Sequence, residues 1–362
     1  MNEEKDFTKT LFASVETGNL DEVVKLFEKD EAKPDVYDEN GMTPLMQAAY
    51  KGNYGICQFL LKKKANVNAT HHENDYTALM MAALSGKQDV VELLLANGAN
   101  ADHQNSIGKR ASELSAFVGQ HEISSLIKNY LSLDKLGPYT KGQGVNPPRL
   151  PLEAAVPLQK IVMMSNPHPV KIITSIMDCE IINKVEVLKK MESVLSDLCS
   201  KSVRSRTDYD EILALKTHYL STVLEMVINF MKSHPDKKLD NLVKQVLVTN
   251  DAGFNIAVEK LIRKSLQDFR YPELPLLQYF VKTISPVKMG AEPTAISCLV
   301  NMFIGAHAAS LRSDVCDACG DTSSKLRCSV CKEALYCSKR CQKFHWFVHK
   351  KFCGKSKQYE IS

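Results

Sequence analysis

Apolar positions in the first third of the chain fall in short helical bursts, broken by glycine at a fixed interval. Gly18, Gly52, Gly86 and Gly119 lie 34, 34 and 33 residues apart, and around each the pattern predicts a helix, a break and a second helix. Asn40-Gly41-Met42-Thr43-Pro44-Leu45-Met46-Gln47-Ala48-Ala49 is answered by Asn74-Asp75-Tyr76-Thr77-Ala78-Leu79-Met80-Met81-Ala82-Ala83. The helices that follow carry Gln58-Phe59-Leu60-Leu61 and Glu92-Leu93-Leu94-Leu95. Thr43 and Thr77 suit the N-cap, where a side-chain oxygen accepts an orphan N–H, and Pro44 suits the first helical position, where no donor is needed. Paired alanines let neighbouring units stack closely, and the glycines end each first helix so that the second can fold back. Units at both ends are degenerate: Leu11 to Lys33 lacks Thr-Pro-Leu, and Asn105 to Tyr130 replaces it with Arg110-Ala111-Ser112. End units that expose one face to water are expected to depart in this way.

The period and the repeated text resemble the ankyrin repeat, which implies a solenoid over residues 5–133. After it the pattern changes. Gly137, Gly142 and Gly144, with five prolines from Pro138 to Pro157, mark 134–157 as a linker. Gly142-Gln143-Gly144 lacks the third glycine and the preceding strand of a dinucleotide fingerprint. Residues 158–311 then read as amphipathic helices without strand alternation, around 184–199, 237–248, 255–268, 273–284 and 293–307. In the clearest of them Thr207 can cap, Asp208 and Asp210 occupy the first turn, and Ile212, Leu215, Tyr219, Val223, Val227 and Phe230 form one apolar face before Pro235. The uncharged run Pro293 to Leu311 approaches membrane-spanning length, but Thr294, Ser297, Asn301, His307 and Ser310 favour a buried helix over a span.

Composition adds compartment and chemistry. A net charge of +4 over 362 residues carries no polyanion signal. The start, Met1-Asn2-Glu3-Glu4-Lys5-Asp6, has no apolar stretch after a basic one, so a cytosolic, reducing setting is expected. Of the eleven cysteines, Cys57, Cys179, Cys199 and Cys298 are scattered, while seven crowd between Cys316 and Cys353. Crowded thiols in a reducing compartment point to metal ligation rather than disulfides. The spacing is Cys316-x2-Cys319, Cys328-x2-Cys331, Cys337-x3-Cys341 and His349-x3-Cys353, with His345 a second candidate ligand. Four pairs make two tetrahedral sites with no open position, so the ions are structural. A module this small folds only with its metal.

These residues, with Tyr336-Cys337-Ser338-Lys339-Arg340-Cys341-Gln342 and His345-Trp346-Phe347-Val348-His349, resemble the MYND zinc finger. The resemblance implies interleaving: Cys316, Cys319, Cys337 and Cys341 on one zinc ion, and Cys328, Cys331, His349 and Cys353 on the other. It also implies a shallow groove beside Gln342 and Trp346 that takes short peptides containing proline and leucine. For Trp346, packing in the finger core is the competing reading. From Cys316 to Lys357 there are ten Lys and Arg against three Asp and Glu, an excess that seven thiolates and two dications roughly halve. No nucleic-acid partner is therefore expected.

The order of parts resembles the family that joins ankyrin repeats to a C-terminal MYND finger. Asp38-Glu39-Asn40-Gly41-Met42-Thr43-Pro44-Leu45, Phe117-Val118-Gly119-Gln120-His121, His168-Pro169-Val170-Lys171-Ile172 and Arg327-Cys328-Ser329-Val330-Cys331-Lys332 carry that resemblance. The architecture it implies is mostly α: a solenoid, an all-helical middle domain over 158–311 and a two-zinc finger over 316–353. The function it implies is a non-enzymatic adaptor that helps deliver membrane proteins, notably nucleotide cyclases, to cilia and associates with an FK506-binding immunophilin. Catalytic motifs are absent from the sequence: no Gly-x-Ser-x-Gly, no phosphate loop, and His121-Glu122 lacks a following zincin histidine. Some MYND proteins are SET-domain methyltransferases, but that strand- and glycine-rich fold does not suit 155–311. A nuclear co-regulator that recruits repressors is the other alternative, with Lys350-Lys351 as a hint of an import signal. In the adaptor reading partners meet the loop tips and exposed inner-helix positions: Glu39, Asn40, Met42, Tyr50, Lys51, Asn74, Tyr76, Leu84, Ser85 and Phe117. Tyr50, Tyr76 and Phe117 lead because aromatics dominate hot spots.

Overall fold

The computed structural model describes residues 2–28, 33–142, 147–205, 209–250, 254–304, 315–321 and 324–354. They form two compact units, Met1–Ser132 and Leu133–Ser362. The first is a stack of helix pairs: α1 (Asn2–Thr17) with α2 (Leu20–Leu26), α3 (Pro44–Lys51) with α4 (Tyr54–Lys62), α5 (Ala78–Leu84) with α6 (Gln88–Ala96), and α7 (Ala111–Phe117) with α8 (His121–Lys128).

Local chemistry sets these boundaries. Thr43 Oγ1 accepts the Met46 N–H at 3.1 Å and Thr77 Oγ1 accepts that of Met80 at 3.3 Å, so both caps form as expected. Gly18, Gly52, Gly86 and Gly119 all sit at φ between 74 and 83°, the left-handed region that lets the chain leave each inner helix and turn back. Ala48, Ala49, Ala82 and Ala83 are fully buried where inner helices meet, beside Leu60, Val90 and Leu94. Each large apolar side chain so buried contributes about 1.5–3 kcal/mol. Between repeats, polar side chains form a ladder: Asn53 Nδ2 donates to Val15 O (2.8 Å), Asp35 Oδ1 accepts from Asn66 N (2.9 Å), and Asn68 Oδ1 accepts from Asn100 N (2.8 Å).

The second unit opens with α9 (Leu133–Thr140) and α10 (Leu152–Met163). These occupy most of the segment 134–157 that composition marks as a linker, and the difference has a clear cause. Three of its five prolines belong to helices, Pro151 as an N-cap and Pro138 and Pro157 within them. Its apolar residues Leu136, Tyr139, Leu150 and Ala154 are buried. Tyr139 donates to Asp197 Oδ2 at 2.6 Å and receives the Lys201 ammonium at 2.9 Å, which ties α9 to the next long helix. Gly144 lies outside the described residues.

There follow α11 (Pro169–Met177), α12 (Val185–Arg204), α13 (Glu211–Ser233), α14 (Leu239–Val246), α15 (Ile256–Gln267), α16 (Pro275–Ile284) and α17 (Ala295–Ile304). α12 and α13 form an antiparallel hairpin, with Asp210 N bonded to Ser202 O at one end and Ser221 Oγ to Glu192 Oε1 further along. The cap of α13 is Asp210, whose Oδ1 accepts the Leu213 N–H at 2.9 Å, not Thr207; Thr207 and Asp208 lie outside the described residues. Leu215, Tyr219, Val223, Val227 and Phe230 on its apolar face are buried. Leu299 and Phe303 of α17 are also buried, and no helix among the described residues is long and apolar enough to cross a membrane. Residues 305–311 of the uncharged run are outside the described set.

The unit ends in β1 (Leu326–Arg327), β2 (Leu335–Tyr336) and α18 (Lys339–His349). The strands pair antiparallel, Leu326 with Tyr336 and Arg327 with Leu335.

Candidate metal centre and interaction surfaces

Two turns and one helix present the cysteines. Cys316 and Cys319 flank a tight turn closed by Gly320 N to Cys316 O at 2.7 Å and Cys316 N to Asp321 O at 2.8 Å. Cys328 and Cys331 flank a second, closed by Lys332 N to Cys328 O at 3.0 Å. The residue after each pair, Gly320 at φ 67° and Lys332 at φ 61°, takes the left-handed conformation, so one turn geometry is used twice. Ser338 caps α18 by accepting the Cys341 N–H at 3.2 Å, which carries Cys341 to the first pair and His349 to the second.

The structure brings together Cys316, Cys319, Cys337 and Cys341 in one cluster, and Cys328, Cys331, His349 and Cys353 in another. Within each, the donor atoms all lie within 4.8 Å of one another. In the first, sulfur–sulfur separations are 3.6 Å (Cys319–Cys337), 3.5 Å (Cys337–Cys341) and 3.7 Å (Cys341–Cys319). Four sulfurs at the usual zinc–sulfur length on a regular tetrahedron stand about 3.8 Å apart. The second cluster has Cys328 Sγ to Cys353 Sγ at 3.7 Å and Cys331 Sγ to His349 Nε2 at 3.5 Å. These spacings are too long for disulfides and right for two closed tetrahedral sites, each able to hold one zinc ion. A zinc ion in either would fix chain segments and leave no coordination position for substrate.

Zinc also resolves the electrostatics. Backbone N–H groups at Cys331 and Val330 bring Cys328 down to about 6, while partial burial and the neighbouring Cys328 push Cys353 up to about 11. In the first cluster Cys316 is lowered by hydrogen bonds from Cys319 and Cys341, and Cys341 is raised to about 12, chiefly by its bond to Cys316. One thiolate forms readily in each cluster and the next resists, so a dication is needed to hold the full donor set ionised.

His345 stands apart from both clusters. Its Nδ1 lies 3.2 Å from the Tyr336 hydroxyl, and its ring stacks at 5.9 Å from that of His349. Burial lowers its pKa, which disfavours the charged imidazolium. Trp346 is 46% exposed on α18, with its ring tilted 6.0 Å from His349, and Gln342 is half-buried one turn earlier. A core role for Trp346 does not fit that exposure.

On the repeat stack, Phe117 is 90% exposed and Tyr50 is 51% exposed. Tyr50, Leu84 and Phe117 each precede a capping glycine by two residues, so they occupy one register position in three successive repeats. Tyr76 is different: it is half-buried, packs against the stack's core and meets His72 edge-on at 5.3 Å. Lys51 is drawn aside by Glu16 at 3.4 Å.

Residues of the helical body touch the finger, and no sequence spacing signals them. Asn166 Nδ2 donates to Cys319 O at 2.7 Å. Lys171 pairs with Asp321, and Arg340 of α18 reaches Asp178 and, at 3.3 Å, the Met177 sulfur. Their partners stand some 150 to 163 residues away in sequence.

Comparison with known proteins agrees with this anatomy. Ankyrin repeats match in three copies over residues 11–105, and the MYND finger matches over 316–353. Ankyrin repeat domain-containing protein 39 of Homo sapiens is 37% identical over 70 residues, 19% of this chain and 38% of that protein. Dauer abnormal formation protein 25 of Caenorhabditis elegans is 32% identical over 353 residues, 95% of this chain and 89% of that protein. Repeats, helical body and finger are thus shared along one alignment, and the chain belongs to the family of ankyrin-repeat and MYND-finger proteins that includes Dauer abnormal formation protein 25.

Proposed function

We propose that the chain is a non-enzymatic, bivalent adaptor of the cytoplasm, at or near the cilium, that supports delivery of membrane proteins such as nucleotide cyclases. The observation that carries the docking part is the pair of exposed aromatics at one register position of the repeat stack, Tyr50 and above all Phe117 at 90% exposure, since aromatics that become buried against a partner supply much of the binding energy. Gln342 and Trp346 on the finger provide the second handle, suited to a short peptide with proline and leucine. The eight clustered side chains, Cys316, Cys319, Cys337 and Cys341 with Cys328, Cys331, His349 and Cys353, are the zinc ligands in this reading. Both clusters are closed, which supports shaping rather than catalysis. The resemblance of the whole chain to its family supports the ciliary cargo and an FK506-binding immunophilin as partner. Two modest contacts in one chain raise avidity without new interactions when one complex reaches both.

Capture of membrane cyclases by wild type, Cys337→Ser and Phe117→Ala tests this directly. Each variant is expected to retain less cargo than wild type. Equal capture by all three would remove both handles from the reading.

A further inference from the structure

The two zinc sites do not carry the same charge. Four thiolates around a dication leave two negative charges, whereas three thiolates and a neutral imidazole leave one. The more charged site is also the drier: Cys316, Cys319 and Cys341 are all buried. A net negative centre held away from water needs nearby donors or cations. The finger places two acids, Asp317 and Asp321, in the very turn that carries this pair, which makes the need greater.

The helical body meets it. Asn166 lies in the segment before α11, and its Oδ1 accepts the His168 N–H at 3.0 Å, which turns the amide so that Nδ2 points at the Cys319 carbonyl. A Cβ at Gly320 would stand 3.5 Å from Asn166 Oδ1 and 3.7 Å from His168 Cβ, so the cysteine turn lies directly against this segment. One turn along, the half-buried Lys171 ammonium pairs with Asp321, whose carbonyl receives Cys316 N–H. Partial burial works to lower the Lys171 pKa, but Asp321, and beyond it the Cys319 and Cys337 sulfurs, raise it overall. The far end of α11 is held as well, by Arg340, the neighbour of ligand Cys341.

We propose that Asn166 and Lys171 of the helical body stabilise the four-thiolate zinc site of the finger, so that this ion, unlike the second, is held jointly by finger and helical body. The inference rests on the ligand assignment above and goes beyond it. Lys171 and Asn166 are positioning residues: neither touches the metal, and each acts through the Cys319–Asp321 turn. Such partners of metal ligands change affinity by roughly 10–100-fold when removed.

Cobalt substitution in the full-length chain separates the sites, because four-thiolate and three-thiolate–imidazole cobalt differ in visible absorption. Wild type, Lys171→Met, Lys171→Arg and Asn166→Ala are loaded and then challenged with zinc and with a chromophoric chelator. Lys171→Met is expected to weaken the four-thiolate site about 10-fold while the other holds its wild-type value. Lys171→Arg should restore most of the loss, and Asn166→Ala should act on the same site to a lesser degree. The second site serves as an internal control for folding. Equal weakening of both sites, or none at either, would overturn the proposal. Absence of any four-thiolate spectrum from wild type would instead overturn the ligand assignment beneath it.

Discussion

The repeat stack and the finger solve the same problem, holding a small element against its neighbours, by opposite means. In the stack each helix pair buries leucine, valine and alanine against the next pair, and the contacts lie a few tens of residues apart. In the finger two short strands and one helix have little apolar area, so eight donor atoms and residues from a helix 150 positions upstream do that work. Redundancy follows from the first design and dependence from the second. A repeat can degenerate and still stack, as the end units do, but a finger that loses one ligand loses an ion.

Metal removal should expose this contrast most strongly. Structural zinc contributes on the order of 10 kcal/mol to modules of this kind, so a chelator is expected to abolish amide protection across 316–353 while α3 to α8 exchange as before. Hydrogen exchange read by mass spectrometry checks it; equal loss in both regions would erase the distinction. Acid should act likewise, with a definite sign. Cys353 at about 11 and Cys341 at about 12 are protonated at neutral pH without metal, so zinc must displace their protons. Affinity is therefore expected to fall as pH falls, and zinc titrations between pH 8 and pH 5 should weaken steadily, roughly tenfold per pH unit for each proton displaced.

The next effect belongs to the stack alone. Leu94 of α6 is fully buried, and Leu94→Ala should cost about 2–5 kcal/mol through lost burial and the cavity left behind. The denaturant midpoint of the repeat unit should drop while both zinc ions remain bound. Loss of zinc in that variant would show that the two regions are less independent than their construction implies.

How much of this could be read in the sequence follows the same divide. The repeats were legible because their period, their Thr caps and their glycines all act locally, and the structure puts Thr43, Thr77 and the four glycines in those roles. The cysteine pairs were legible for a similar reason, since a short spacing alone lets two ligands reach one ion. Proline misled at 134–157, because Pro at the start of a helix and Pro in a linker look alike until the buried Leu136, Tyr139 and Leu150 are seen. Tyr76 sits differently from Tyr50 and Phe117, because a half-buried ring packed on the core reads in sequence like an exposed one. The ties from Asn166 and Lys171 had no local signal at all, since they depend on where the fold brings the finger.

The smallest effect tests whether an end repeat differs from a central one only by its letters. Arg110 holds the N-cap of α7 with φ −87° and ψ 162°, close to Thr43 at −89° and 159° and to Thr77 at −106° and 165°. The backbone is thus set for a cap, yet arginine has no acceptor to offer, and a side-chain bond at this end runs backwards, from Arg110 N–H to Glu113 Oε2 at 2.9 Å. Arg110→Thr supplies the missing oxygen and keeps Glu113 in the reciprocal place of a capping box. What it removes is an exposed pair with Asp102 at 3.8 Å, of a kind that contributes little. A gain of about 0.5–1 kcal/mol is expected, read as a rise in the midpoint of the repeat unit. Thr77→Ala should lower the same midpoint by a similar amount. If Arg110→Thr gains nothing while Thr77→Ala loses, the end repeat departs from the central ones in packing as well as in capping.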